Sequence, residues 1–229
     1  MKVGIMQPYF MPYIGYFQLM KAVDKYVVYD DVNYINKGWI NRNRILIGQE
    51  AKLFTIPLAG ASQKKRINEI FIADNFVKLQ KTLRMNYSKA PFFKDVMHLF
   101  DAIFAHPDKQ LALFILHSFR VVLEYLDIKT DFILSSCIEK DNSLKGQNKI
   151  LTICKELEAD TYINAIGGQD LYDRNIFNAH GIELKFLRPK PVTYVQFRHE
   201  FVPNLSMIDV LMFNSPEKIV KMLDAYEFI

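Results

Sequence analysis

The chain reads as a Rossmann-like α/β fold, a mainly parallel sheet with a helical insertion over residues 74–127, and three observations carry that reading. A short apolar run, Val3 to Met6, is followed by a proline-bounded loop, an amphipathic stretch closing at Asp24, and a second apolar run from Tyr26 to Tyr29. The same strand, helix, strand pattern returns over Thr161 to Leu187. Between the two, Asp74 to Asp127 repeats apolar residues at helical spacing. All 229 residues are read as one α/β domain, since no linker or composition break divides them.

Each element has its own signal. After Asp31 the polar, aromatic segment Val32 to Trp39 lacks any period and reads as an ordered loop. Arg44 to Ile47, the turn Gly48-Gln49-Glu50, and Ala51 to Leu58 read as a hairpin, with a further strand at Ile67 to Ile72. In the helical block the stripes are Phe76, Leu79, Leu83, then Phe93, Val96, Phe100, Phe104, then Leu111 through Leu126, with Pro91 and Pro107 marking two starts. Phe132 to Leu134 is a strand, Gln147 to Glu158 a helix, Thr161 to Asn164 a strand and Asp170 to His180 a helix stopped by Gly181. Ile182 to Leu187 follows as a strand, Val192 to Gln196 as an edge strand, and Ser206 to Phe213 and Pro216 to Leu223 as closing helices.

Half the residues are hydrophobic, with no apolar run of membrane-spanning length and no signal-peptide pattern, so a cytoplasmic protein is expected. Cys137 and Cys154 sit in apolar surroundings and read as buried free thiols. The net charge of +4 is local: residues 36–66 hold seven basic residues and one acid. Beside a ligand-facing loop such a patch suits an anionic small molecule, a nucleotide or nucleotide sugar, and not nucleic acid, which demands a domain-wide basic face. A solvated basic hairpin is the alternative. No transmembrane segment is expected; if the chain assembles, a homodimer is the form considered.

Several chemistries are excluded. The five histidines, His98, His106, His117, His180 and His199, are scattered, and no metal-ligand spacing occurs. Asp30 and Asp31 remain as a pair able to hold magnesium with a phosphate. There is no nucleophile elbow, Walker sequence or Gly-x-Gly-x-x-Gly. The polar clusters that remain, Gln7 to Tyr16 and Asp30 to Asn33, fall at the carboxyl ends of strands, where ligands of open α/β sheets bind. Gly167 and Gly168, at a later strand-to-helix turn, are a further candidate wall, or simply a tight turn.

Two resemblances add to this. The opening strand, Pro8-x-x-x-Pro12-Tyr13-Ile14-Gly15-Tyr16 and helix resemble the first βαβ unit of nucleotidylyltransferases and pantoate–β-alanine ligases, which carry His-x-Gly-His where this chain has Tyr13-Ile14-Gly15-Tyr16. Over the whole chain, Met6 to Phe17, Tyr29-Asp30-Asp31-Val32-Asn33-Tyr34, Gly38-Trp39-Ile40-Asn41-Arg42-Asn43-Arg44-Ile45, Ala159 to Tyr162 and Leu205 to Leu211 resemble the WbqC-like protein family. That resemblance implies a role in bacterial surface-polysaccharide (O-antigen, lipopolysaccharide) biosynthesis and transfer of an aminoacyl group such as glycine. The alternative is a non-catalytic protein that binds a nucleotide sugar or a partner.

Joined to the residues, the resemblances imply an ATP-activated acyl group, with magnesium, captured by the amine of a nucleotide-linked sugar. Catalytic positions would be Tyr13, Tyr16, Asp30, Asp31 and Lys37. Gln7, Tyr9, Gly15, Asn33, Tyr34, Trp39, Asn41, Arg42, Asn43, Arg44, Gly167 and Gly168 would bind substrate. Arg42 and Arg44 alternate with Asn41 and Asn43, so in a strand the two pairs take opposite faces. Either the asparagines bond sugar hydroxyls or the segment pins the loop to the sheet.

Overall fold

Val3, Gly4 and Ile5 are wholly buried, as strand residues covered on both faces must be, and they form the middle of the sheet. The computed structural model describes residues 1–73, 75–197 and 200–229; Asp74, the expected start of the helical block, and His199 lie outside the described residues. β1 (Lys2–Met6), α1 (Ile14–Ala22) and β2 (Lys25–Val28) make the expected βαβ unit, with Val3 to Met6 paired in parallel register to Lys25 to Val28. The hairpin follows as β3 (Arg42–Ile47) and β4 (Glu50–Thr55), turned at Gly48, whose φ of +65° a side chain would disfavour.

β5 (Leu58–Ala59) pairs with β6 (Phe71–Ile72), which is all that survives of the strand expected from Ile67. Ile67 to Glu69 is instead one 3-10 turn, because the Glu69 carboxylate takes the Arg66 N–H at 2.6 Å and curls the chain. The helical block is α2 (Val77–Tyr87), α3 (Phe93–Phe104) and α4 (Leu111–Tyr125). Its stripes are core: Leu83, Val96, Phe100 and Phe119 are buried in one cluster with Phe17 and Tyr26 of the first unit.

Then come β7 (Asp131–Leu134), α5 (Gly146–Glu156), β8 (Thr161–Ala165), α6 (Arg174–Ala179), β9 (Glu183–Pro189), α7 (Met207–Phe213), α8 (Pro216–Leu223) and β10 (Tyr226–Phe228). α6 is shorter than expected because Ile166 to Leu171 forms a 3-10 turn and Asp173 caps the helix through the Asn175 N–H. Gly181 takes its expected stop position at φ +72°. Val192 to Gln196 is not a strand. The edge of β9 is taken by β10, running antiparallel, while Gln196 spends its amide on the backbone of Val202. Cys154 is buried, and burial pushes its thiol up to about 12; Cys137 is exposed, contrary to expectation, because the turn Ser135–Cys137 points Ser135 and Ile138 inward instead.

The main sheet has the order β10-β9-β8-β1-β2-β7, parallel except at β10. Counting only these strands in chain order, this is the 3-2-1-4-5-6 arrangement of dinucleotide-binding sheets, and its direction reverses between β1 and β8. The helical block, α1, α7 and α8 cover one face; α5 and α6 cover the other through Val27, Ile150, Cys154 and Phe177. Among the described residues, no helix is long and apolar enough to cross a membrane.

Candidate functional site: an aromatic cavity at the carboxyl end of β1

The loop from Gln7 to Tyr13 leaves β1 at the sheet's reversal point and is tied down along its length. The Phe10 N–H donates to the Ile40 carbonyl at 2.8 Å. Met11 sits at φ +45°, a conformation costing on the order of 1–3 kcal/mol for a residue with a side chain. What holds it there is its carbonyl, which accepts from Asn43 Nδ2 and from Ser206 Oγ, both at 2.6 Å. The start of α7 then donates Met207 N–H to the Pro12 carbonyl and Ser206 N–H to the Arg44 carbonyl, at 2.8 and 2.9 Å. Three segments far apart in sequence are thereby locked around one point.

Above that point lies a cavity of about 440 Å³ lined by Tyr9, Tyr13, Tyr16, Trp39, Arg44 and Asn204, with Asn43 at its base. Tyr16 receives the ring edges of Tyr9 and Tyr13 at centroid distances of 5.4 and 5.9 Å, and Tyr9 lies 6.2 Å from Trp39. Trp39 is 44 % exposed, with the guanidinium groups of Arg42 and Arg44 at 5.5 and 5.4 Å from its ring. The alternation in β3 is as the sequence requires: both asparagines face in and both arginines out.

The arginines differ in what they are free to do. Arg42 donates from Nε to the Gly38 carbonyl at 2.8 Å and from Nη2 to the Lys37 carbonyl, closing a turn in which Lys37 is held at φ +59°. Among the described residues Arg44 has neither an acid nor a carbonyl partner for its guanidinium, so it is the cation available to a ligand. Nor do the hydroxyls of Tyr9, Tyr13 and Tyr16 bond to the described protein, and behind them the Tyr26 hydroxyl is fully buried with no partner. Burial raises the pKa of all three cavity phenols, reinforced at Tyr9 by its tyrosine neighbours and opposed there by Arg44 and Arg42. They are neutral hydrogen-bond donors at physiological pH.

Gly15 has a reason other than the expected one. A Cβ there would lie 2.4 Å from Cε2 of Tyr13, so the space over the helix is filled by the Tyr13 ring. The glycine lets Tyr13 lie flat as part of the cavity and offers no bed for a base or ribose.

The sequence model of the WbqC-like protein family matches residues 7–221, which takes in every segment that builds this cavity. The chain belongs to the WbqC-like family. It is also similar to the uncharacterized protein Rv1507c of Mycobacterium tuberculosis, 26 % identical over 215 residues and covering 92 % of each chain. No solved structure matches.

In this WbqC-like chain the acidic pair is turned away from the cavity. Asp30 is buried and accepts from Ser136 N–H at 2.9 Å, Ser136 Oγ at 2.6 Å and Asn68 Nδ2 at 3.2 Å. Asp31 meets Lys140 Nζ at 2.9 Å and Lys149 Nζ at 3.0 Å, all three side chains being 5 % exposed or less. Burial alone would raise the Asp31 carboxyl; the ammonium groups of Lys140 and Lys149 outweigh it and hold the carboxyl below its usual range. Two ammonium groups already crowd this carboxylate, so the pair does not fit a magnesium ion. Among the described residues, no group of three candidate ligands does either.

The other expected positions divide clearly. Tyr34 donates to Asn41 Oδ1 at 3.0 Å, and Asn41 donates to the Ile56 carbonyl at 2.7 Å, so this amide pins the loop to the hairpin. Asn33 is exposed and bridges to Arg66; Lys37 is exposed on the turn; Gln7 is half-buried below the loop. Gly167 is exposed in the 3-10 turn, and a Cβ on Gly168 would meet Asn164 Oδ1 at 2.9 Å, a packing requirement away from Trp39. Sequence reasoning missed Asn204, Ser206, Lys140 and Lys149. Only Ser206 carried a signal, as an N-cap before an apolar run. A wider cleft of about 590 Å³, around Asp127 to Phe132, lies at the amino end of β7 and mixes acids with bases, with Phe132 as the one aromatic ring among its described lining residues.

Proposed function

We propose that this WbqC-like protein binds a nucleotide-linked amino sugar in the Trp39 cavity and transfers an acyl group to its amine, in cytoplasmic steps of bacterial surface-polysaccharide (O-antigen) biosynthesis. The family association names an aminoacyl group such as glycine. The observation that carries the reading is Arg44: a guanidinium over Trp39 that, among the described residues, has no acid or carbonyl partner, facing three tyrosines whose hydroxyls likewise bond no described residue. Indole and phenol faces suit a base or sugar ring, and a guanidinium suits a diphosphate.

In the reaction the sugar amine attacks the acyl carbonyl; the C–N bond forms as the bond to the donor's leaving group breaks, and the amine proton passes to solvent. The tyrosine hydroxyls donate to the carbonyl oxygen as negative charge builds on it, and the cavity holds the two reactants together. Among the described residues no carboxylate or imidazole lines the cavity, so the proposed attack relies on the neutral amine and the tyrosine hydroxyls.

That same lack of a titratable base favours the second reading, a WbqC-like protein that binds the nucleotide sugar and hands it on unchanged. Calorimetric titration with nucleotide amino sugars, followed by a search for amide product with activated acyl donors, separates the two. Binding with product formation is expected; binding without product supports the second reading, and no binding removes both.

A further inference from the structure

Beside the Trp39 cavity lies a second chamber of about 440 Å³, and the two share Tyr13 and Asn204 as a common partition. The second chamber differs sharply in chemistry. Pro189, Pro191, Pro203, Val192, Leu205 and Val210 make much of its wall. Among the described residues its lining has one charged group, Lys190, and no acid.

The wall is built rather than incidental. Lys190 to Ser206 carries no strand or helix among its described residues, and a stretch of that length inside a folded α/β chain is a functional loop. It is held by the buried Asp209 carboxylate, which accepts from Tyr194 Oη at 2.7 Å, Gln196 Nε2 at 2.6 Å and Tyr87 Oη at 2.8 Å. Gln196 also bonds both backbone groups of Val202, at 2.7 and 3.1 Å. The Tyr87 hydroxyl accepts the Leu46 N–H at 2.7 Å and so anchors the network to β3. At the partition Asn204 stands at φ +57°.

We infer that this chamber receives the acyl part of the reaction, and that the group transferred is an uncharged, apolar acyl chain of several carbons instead of glycyl. The inference rests on the acyl-transfer reading and names its donor class. Glycyl would leave most of the volume empty. Its α-ammonium would enter a chamber whose described lining carries one cation, Lys190, and no acid, and burying a charge there without a partner is penalised heavily. An apolar chain instead exchanges water for proline, valine and leucine, at about 0.8 kcal/mol for each buried methylene, or about fourfold in affinity.

The test uses the full chain and UDP-glucosamine, free and N-acylated with glycyl, acetyl, butyryl or hexanoyl groups, in calorimetric titrations. Affinity is expected to rise about fourfold per methylene from acetyl to hexanoyl, with the glycyl compound weaker than the acetyl one. Val192→Phe, which fills a half-buried wall position, should abolish the rise while leaving free UDP-glucosamine binding unchanged. A flat series, or tightest binding of the glycyl compound, would overturn the inference. If none of the nucleotide sugars binds, the functional reading above fails, and hexanamide decides on the chamber alone. Saturation transfer to hexanamide that is lost in Val192→Phe sustains the apolar chamber; no transfer in the unaltered chain overturns it.

Discussion

Replacing Asp31 by asparagine tests whether this buried acid is chemistry or architecture. Asparagine keeps the shape and removes the one acid among the described residues that pairs with Lys140 and Lys149, whose ammonium groups approach it at 2.9 and 3.0 Å. Two buried cations would then stand without a counter-charge. Breaking a buried pair from one side costs about 3–5 kcal/mol, and a chain of this size loses about 2–4 °C of melting temperature per kcal/mol. Scanning calorimetry should therefore show a fall of roughly 6–20 °C. Lys140→Met should cost less, since it leaves Asp31 and Lys149 as a neutral pair. At a temperature where Asp31→Asn remains folded, nucleotide-sugar binding should be retained. An unchanged melting temperature with binding lost would refute the reasoning and return Asp31 to the active site.

Gly15→Ala should fold but lose ligand affinity, because its Cβ would sit 2.4 Å from the Tyr13 ring and drive that ring into the cavity; titration with a nucleotide sugar checks it, and unimpaired binding would show that Tyr13 is not a wall. Asp209 should set the acid side of the stability profile. Burial, against hydrogen bonds from Tyr194, Tyr87 and Gln196, raises its carboxyl above the ordinary 3.8, so the folded chain holds that proton more tightly than the unfolded one. Its contribution makes the protein more stable as pH falls from the raised value toward 3.8. The Asp31 contribution, from a lowered carboxyl, is complete above 3.8 and is lost as pH falls further. Denaturant titrations from pH 7 to pH 3 should show the rise in the unaltered chain and not in Asp209→Asn; a rise in both would contradict the assignment.

Much of this arrangement was legible because it is local. Period-two alternation in Asn41 to Arg44 placed the arginines on one face and the asparagines on the other, and β3 has that geometry. The apolar runs gave both βαβ units, and with them the carboxyl end of β1 as the expected place for a candidate site. What stayed hidden depends on partners distant in sequence. Asp30 and Asp31 looked like site acids because Ser136, Lys140 and Lys149 arrive more than a hundred residues later. Val192 to Gln196 looked like a strand because nothing local reveals that Gln196 will bond Val202 and Asp209. Arg42 and Arg44 were equivalent as sequence, yet Arg42 closes the Lys37-Gly38 turn and only Arg44 is left for a ligand.

The central claim is that Arg44 beside Trp39 holds the anionic part of the ligand. Trp39 is the single tryptophan of the chain, so its fluorescence reports this cavity alone. Titrating nucleotide amino sugars into the unaltered chain and Arg44→Ala, with fluorescence as the readout, should show affinity falling about 10- to 100-fold, the worth of one charge-assisted hydrogen bond. The melting temperature should stay nearly the same, because the exposed guanidinium hydrogen-bonds no described residue and the Arg44 backbone bonds survive the substitution. Equal affinity in both chains would contradict the account.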